Sequence, residues 1–509
     1  MAIDPVNKLI AWQMRRRYGK IERFMLNPQQ VQEDLLLKLV KKAANTEWGK
    51  RHNFKSISNF SDFQQSSPLQ NYESLKDDID RVRLGEQNIL WPTEIKWFAK
   101  SSGTTSSKSK FLPVSLEAIE QNHFKGGRDL LAFYCNEVQE TKMFSGYSLR
   151  LGGSTTPNSS NHETYYGDLS AVLIENLPFW VEMRSTPNQA IALMEEWESK
   201  IEKIVDRAIK QNVTSLFGVP SWMLVLCRRV LEKSGANNLL DVWPNLELYA
   251  HGGVSFTPYR KQFEELIPKD DFVYLETYNA SEGFFAIQDK VESRGMLLML
   301  DNGIFYEFIP MSEYKGVDSR TIPLHEVQPD VNYAMVITTN AGLWRYIIGD
   351  TVKFTSTAPY RIEITGRTKL FINAFGEELI IDNAEKAIKQ ACLKTGAEVK
   401  EFTAAPYYME GRDSGAHEWI VEFSKRPSNL EDFETVLDDS LRELNSDYEA
   451  KRHKNMALKA PIVHEAKPEL FHNWLKQKGK LGGQHKVPRL ANDRVLIEEL
   501  LQLQRDTLL

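Results

Sequence analysis

The sequence predicts an α/β protein in which a large first domain of sheets flanked by helices, with a small β-barrel, is followed by a small α+β domain. Three observations carry this expectation. Helix-period and strand-period stretches alternate from residue 188 through GVPSWML at 218–224, the pattern of an α/β layer. From Leu246 the chain turns to short segments rich in β-branched and aromatic residues: LELYAHGG, FVYLETYNA, GMLLML, IFYEFIP, YAMVITT, WRYIIGDTVKFT and RIEITG. Broken by Gly, Asn and Pro, they argue for sheets and a small barrel. Past Gly366-Arg367-Thr368-Lys369 the pattern changes again to a helix, two strands and a further helix, which divides the chain into 1–367 and 368–509. A chain of 509 residues, 42% hydrophobic, has material for a core in each part.

In order along the chain, residues 1–100 read as mainly helical. Asn27 precedes Pro28 at a helix start, with Val31, Leu35, Leu39 and Ala43 at helical spacing. Ile95, Trp97 and Phe98 read as extended and lead into the loop Ser101 to Pro113. Ser115 with Glu117 marks the N-cap and first turn of a helix to Asn136. Tyr147 to Gly153 reads as a strand and the polar Ser154 to His162 as a loop. Asn188 to Gln211, opened by Pro187, reads as one long amphipathic helix carrying Ile191, Met194, Trp197, Ile201, Val205 and Ile209. Strand Thr214 to Phe217 then turns through GVPSWML into another helix. In the last part, Asp382 with Glu385 predicts a capping box for a helix through Ala384, Ile388 and Cys392 that ends at Gly396. Strands Lys400 to Ala405 and Trp419 to Phe423, a helix Leu430 to Asn445, and a loop Gly479 to Arg489 complete the reading.

Composition narrows the function. A net charge of -6 with both signs interspersed gives no electrostatic footprint for nucleic acid. Cys135, Cys227 and Cys392 are scattered, without the spacing of a disulfide framework or a zinc site, which points to a reducing cytoplasm. Trp12 and Arg15 interrupt the start where a signal peptide needs a continuous apolar core, and no apolar run reaches membrane-spanning length. A soluble, monomeric protein without a membrane partner is expected. The ten histidines form no HExxH or other close ligand spacing.

The stretch SSGTTSSKSKFLP at 101–113 gathers hydroxyls, one glycine and the cations Lys108 and Lys110 between extended chain and a helix start. Such a loop offers hydroxyls, backbone N–H groups and positive charge to a phosphate chain. A Ser-rich linker needs no ligand, but linkers seldom sit tightly between a strand and a helix, and two lysines are added here. The stretch is not a Walker A loop, since GxxxxGK followed by Ser or Thr is absent. Four further stretches follow: HGGVSFTPY at 251–259, YNASEGFF at 278–285, LWRYIIGD at 343–350 and GRTKLFINAFGEEL at 366–379. Singly, each is compatible with an ordinary turn, cap or loop.

Their order resembles that of adenylate-forming enzymes: phosphate loop, Gly-Gly adenine turn, aromatic followed by hydroxyl and Glu, Gly-Asp, and a Gly-Arg hinge before a small mobile domain. Within that superfamily the wording of the loop, the Ser-Glu pair before two aromatics, LWRYIIGD and the late QHKVPR look like the plant auxin-response type of acyl acid amido synthetase and its bacterial relatives, over essentially the whole chain. Three departures are local. Ser106 and Ser107 stand where the family loop carries its second glycine, Ser109 where it carries a charged residue, and Ile347 where the family carries an arginine.

The resemblance implies an enzyme with an adenylation domain at 1–367 and a small lid domain at 368–509. It would use ATP and Mg²⁺ to turn a small carboxylic acid into an acyl-AMP, then pass the acyl group to an amino acid. Ser101, Ser102, Gly103, Thr104, Thr105 and Lys110 would hold the β and γ phosphates, with Gly252 and Gly253 at the adenine edge and Tyr278 against its face. Ser281 would meet the α-phosphate, Glu282 the Mg²⁺, and Asp350 with Arg367 the ribose. Lys369 stands at the hinge position, and Lys486 resembles the lysine brought in for adenylation. Two alternatives stand beside this reading: an acyl-CoA ligase of the phenylacetate type, marked by a coenzyme A requirement, and a nucleotide-binding regulator without turnover.

Overall fold

The computed structural model describes residues 5–104, 107–153, 155–157, 164–291, 293–368, 371–409, 414–478 and 487–506. Its backbone is one twelve-stranded sheet with a parallel and an antiparallel half. In the parallel half Tyr147–Arg150, Val213–Phe217, Leu248–Gly252 and Val273–Ala280 lie side by side. Parallel neighbours need crossovers, and the helices Pro220–Ser234 and Thr257–Leu266 supply two of them. Both helices start with proline in the first turn, where its missing N–H costs nothing. At the turn between Ala280 and Gly283 the sheet reverses direction. It then continues antiparallel through Met296–Leu298, Tyr360–Arg367, Tyr346–Thr357, Asn332–Thr339 and Ile304–Pro310.

This corrects the expected small barrel. Among the described residues the short strands form an open continuation of the large sheet, because Met296–Leu298 bridges Tyr360–Arg367 to Gly283–Ile287 and so occupies the edge that a closed barrel would use. Bulges at Thr351/Val352 and Phe354/Ser356 bend the long strand instead.

The stretch 101–113 is likewise not a single loop. Trp97–Thr104 and Ser107–Val114 pair as an antiparallel hairpin, in a separate four-stranded sheet with Tyr165–Gly167 and Thr155–Pro157. The alternation Ser-Lys-Ser-Lys at 107–110 is a period-2 signal, and the ladder satisfies the backbone that a free loop would leave to solvent.

The helix start at Pro28 and the Ser115 cap are as expected: Pro28–Ala43 follows Asn27, and Ser115 Oγ accepts the Ala118 N–H at 3.0 Å. The long helix over 188–211 is broken into Gln189–Ala192 and Trp197–Ala208. Glu196 accepts the N–H groups of Glu198 and Ser199, a second N-cap that competes with helix continuity. Downstream, Asp382 pairs with Lys386 rather than capping, and the helix Ile381–Thr395 is closed at its start by Asn383 Oδ1, which accepts the Ile380 N–H, and at its end by left-handed Gly396.

Beyond residue 367 the strands belong to separate small sheets, Phe371–Ile372 with Leu379–Ile380, and Glu398–Tyr407 with Ala416–Lys425 and Ile462–Glu465. The packing nonetheless joins this part to the first. One core contains Trp222, Tyr249, Tyr259 and Phe263 together with Ile372, Phe375, Leu379 and Trp419. Ser221 Oγ donates to the Phe375 carbonyl at 3.1 Å, Tyr259 OH to the Ala374 carbonyl at 2.6 Å, and Asn373 Nδ2 to the Gly253 carbonyl at 3.0 Å. Tyr259→Phe strands the buried Ala374 carbonyl, and should cost about 1 to 2 kcal/mol in denaturant unfolding. A loss below about 0.3 kcal/mol, within ordinary surface-substitution scatter, would show that this turn is undocked in solution.

Candidate active site

A cleft of about 690 Å³ opens at the carboxyl ends of the parallel strands, where the sheet changes direction. Open α/β sheets leave a crevice at such a place, because the connections diverge to opposite faces. Its walls come from regions that are far apart in sequence.

The hairpin brings Ser101 and Lys110, which face each other in register. Ser102, Gly103 and Thr104 continue the same strand. Thr105 lies outside the described residues, as do Lys369 and Lys486. Gly252 ends its strand and Gly253 lines the cleft. A Cβ on Gly252 would stand 2.4 Å from the Thr277 carbonyl, and Gly253 has φ of +82°, so the two glycines answer separate constraints, one steric and one conformational.

The strand Val273–Ala280 and the turn after it bring Tyr278, Ser281 and Glu282 to the cleft. Glu282 is half-buried, and its carboxyl is pushed up to about 7. Burial is the main cause, Asp350 and Glu378 add to it, and Lys110 pulls the other way. The site thus holds a carboxyl with too little positive charge around it.

Asp350 and Arg367 are opposite each other on neighbouring strands, with Arg367 Nε 2.9 Å from Asp350 Oδ1. Tyr278 OH donates to Asp350 Oδ2 at 2.5 Å. The Tyr278 phenol is held well above its ordinary range by burial and then by the Asp350 charge. For Arg367 burial opposes the charge, but Glu378, Asp350 and Glu282 outweigh it and raise the pKa. Arg367 also reaches Glu378 at 3.2 Å, and its guanidinium stacks over Phe371. Arg367 therefore links the two strands that carry Asp350 and itself to the chain beyond residue 367.

Not all of LWRYIIGD belongs to the cleft. Trp344 Nε1 donates to the Leu90 carbonyl, and Arg345 is a buried partner of Glu307 at 2.9 Å, away from the site. Ile347 is buried in a small core with Leu69, Ile309, Ala334 and Val336, which suits an apolar residue. Conversely, Glu276, Asn279, Asn373 and Glu378 line the cleft although no feature of the residues themselves singles them out in advance. Burial raises the Glu276 carboxyl, with Glu363 adding to it. Asn279 lay inside YNASEGFF, and Asn373 and Glu378 inside GRTKLFINAFGEEL, stretches already singled out for other residues.

Family comparisons agree with this arrangement. Residues 17–272 match the GH3 family N-terminal domain, 297–367 the GH3 family central domain and 382–495 the GH3 family C-terminal domain. The chain belongs to the GH3 family. Among curated relatives, this GH3 protein is 23% identical to the indole-3-acetic acid-amido synthetase GH3.3 of Arabidopsis thaliana, across 94% of this chain and 92% of the relative. It is 24% identical to the jasmonoyl-L-amino acid synthetase JAR6 of Nicotiana attenuata, across 91% of each. The solved structure of the AtGH3.15 acyl acid amido synthetase in complex with 2,4-DB superposes with a TM-score of 0.61 at 17% identity, covering 99% of this chain and 97% of that one. That likeness establishes a shared fold. Among the described residues no helix is long and apolar enough to cross a membrane.

Proposed function

We propose that this GH3 protein is an ATP-dependent acyl acid amido synthetase. The observation that carries the reading is the convergence on one cleft of a hydroxyl-and-lysine hairpin, a Ser-Glu turn and the Tyr278-Asp350-Arg367 cluster. Full-length similarity to amino-acid-conjugating synthetases supports it.

A carboxylate resists nucleophiles, since its charge repels them and oxide cannot leave. Adenylation removes both obstacles. A carboxylate oxygen attacks the α-phosphorus of ATP, the bond from that phosphorus to the bridging oxygen breaks, and pyrophosphate departs with the bond pair. The amine of an amino acid then attacks the acyl carbon, the bond to the AMP oxygen breaks, and the amine proton passes to water. We assign Ser101, Ser102, Gly103, Thr104, Thr105 and Lys110 to the β and γ phosphates. Lys110 offsets their charge, and Ser281 donates to the α-phosphate. Tyr278 backs the adenine with Gly252 and Gly253 at its edge, and Asp350, held by Arg367, accepts the ribose hydroxyls.

Glu282 suits a cation, as a carboxyl facing the cleft and short of positive neighbours. Mg²⁺ held there would neutralise phosphate charge. We further assign residues 1–367 to adenylation and 368–509 to a lid turning at Lys369, with Lys486 as its cation for the first half-reaction.

AMP formation should depend on an acid and ATP, and the product should be an N-acyl amino acid without coenzyme A. Mass spectrometry of a panel of acids crossed with amino acids reads this directly. A thioester formed only with coenzyme A would make the protein an acyl-CoA ligase, and bound ATP without pyrophosphate release from any pair would refute turnover.

A further inference from the structure

The helix that follows the phosphate hairpin does not run straight. Leu116–Ala118 passes into a π-helical turn, Ile119–His123, before Phe124–Glu137 resumes α geometry. Such turns are frequent at functional sites. Here both Asn122 and His123 point inward, at 1% and 5% exposure. Asn122 is fully used in holding backbone: it donates to the Phe284 and Asn302 carbonyls at 3.1 and 2.8 Å and accepts the Phe284 N–H at 2.7 Å.

His123 does something different. Its Nδ1 lies 3.2 Å from Oδ1 of Asn279, a residue that lines the cleft two positions before Ser281. Burial pulls the imidazole down to about 4, so it is neutral at physiological pH and carries one N–H. An amide oxygen can only accept, so that proton sits on Nδ1 and the Asn279 NH₂ is turned away from the ring. No acceptor for this NH₂ is found among the described residues. Asn279 is only partly buried on the cleft wall, so this NH₂ is a donor open to a ligand or to water there.

We propose that Asn279 donates a hydrogen bond to an oxygen on the acid substrate close to its carboxylate, a hydroxyl or keto group on the α or β carbon, and that His123 is the positioning residue that fixes the amide. This rests on the amido synthetase reading, which puts the carboxylate at the α-phosphate beside Ser281. Asn279 stands at the end of its strand and Ser281 in the turn that follows, and both line the same cleft, so a donor on Asn279 is close enough to Ser281 to meet an oxygen on the first carbons after the carboxylate. A donor in that position selects for oxygen rather than for chain length, because an acid without it leaves the amide unpaired.

The test uses the full chain with ATP and Mg²⁺ and reads kcat/KM for pyrophosphate release. The acids are matched in skeleton: phenylacetate, mandelate and phenylglyoxylate, and butyrate, 2-hydroxybutyrate and acetoacetate. In the skeleton used best, an oxygenated acid should be preferred about tenfold, the worth of one ordinary hydrogen bond. Asn279→Leu should cost that acid about ten times more than its deoxygenated partner. His123→Ala should reduce the preference and His123→Gln, which keeps a donor for Oδ1, should restore it. A purely structural role would slow both acids equally. A wild-type preference below about twofold, or one that survives Asn279→Leu, overturns the inference while leaving the synthetase reading intact. Failure to release pyrophosphate from any acid overturns both.

Discussion

Asp350→Ala should lower kcat/KM for ATP by about 10²- to 10³-fold, most of it through a raised KM. The carboxylate is engaged on both oxygens, by Tyr278 OH at 2.5 Å and Arg367 Nε at 2.9 Å, and sits 7% exposed at the cleft. Hydrogen bonds to a charged group contribute about 1.5 to 3 kcal/mol each. The variant removes the acceptor proposed for two ribose hydroxyls and also frees Arg367 to swing toward Glu378, its other partner at 3.2 Å. Tyr278→Phe removes only the hydroxyl contact and should cost about tenfold, so the two variants separate ribose binding from the orientation of the carboxylate. Steady-state pyrophosphate release at varied ATP measures both. An Asp350→Ala enzyme within a factor of about three of wild type, less than one hydrogen bond's worth, would remove Asp350 from nucleotide binding.

How much of this site could be read in advance depends on whether a residue acts within its own segment. The Gly-Gly turn was legible because both constraints on it are local or adjacent: a left-handed φ at Gly253 and a backbone carbonyl facing Gly252. Tyr278, Ser281 and Glu282 occupy one strand end and one turn, so their spacing survives into space. Residues 101–113 read as a loop because their Ser and Thr content outweighs a short Ser-Lys alternation, although the extended reading of Trp97 and Phe98 before them holds; tertiary pairing decides the matter. The helix over 188–211 failed for a related reason, since apolar periodicity cannot register that Glu196 caps a new start. His123 was invisible, because its inward direction comes from a π turn and its partner Asn279 is 156 residues away. The contribution of Asn373 and Glu378 depends on how the chain beyond residue 367 packs, which no local pattern encodes.

Glu282→Gln should reduce AMP formation by about 10³-fold or more, the loss expected when one charge-stabilising group is removed from a reacting site, and at the same time make the metal-free protein more stable in mild alkali. The two effects share a cause. The carboxyl is pushed up to about 7 from an ordinary 4.5, chiefly by burial, so ionising it in the empty cleft is unfavourable. A carboxyl whose folded pKa is raised contributes a stability that is complete below 4.5 and is lost as the pH rises through 7. Glutamine is neutral throughout and avoids that loss. Relative to wild type the variant should therefore gain roughly 2 kcal/mol at pH 8 without metal, a figure reduced from the full shift because the cleft admits water. The gain should fade between pH 7 and pH 4.5, and added Mg²⁺ with nucleotide should restore the wild type but leave the variant unmoved. Denaturant unfolding across that pH range, with and without Mg²⁺ and ATP, tests the account. Equal stability of the two proteins at pH 8 would mean that Glu282 already has a cation in the free protein. Full activity in the glutamine variant would mean that the charge which this cleft keeps at such expense serves no step of adenylation.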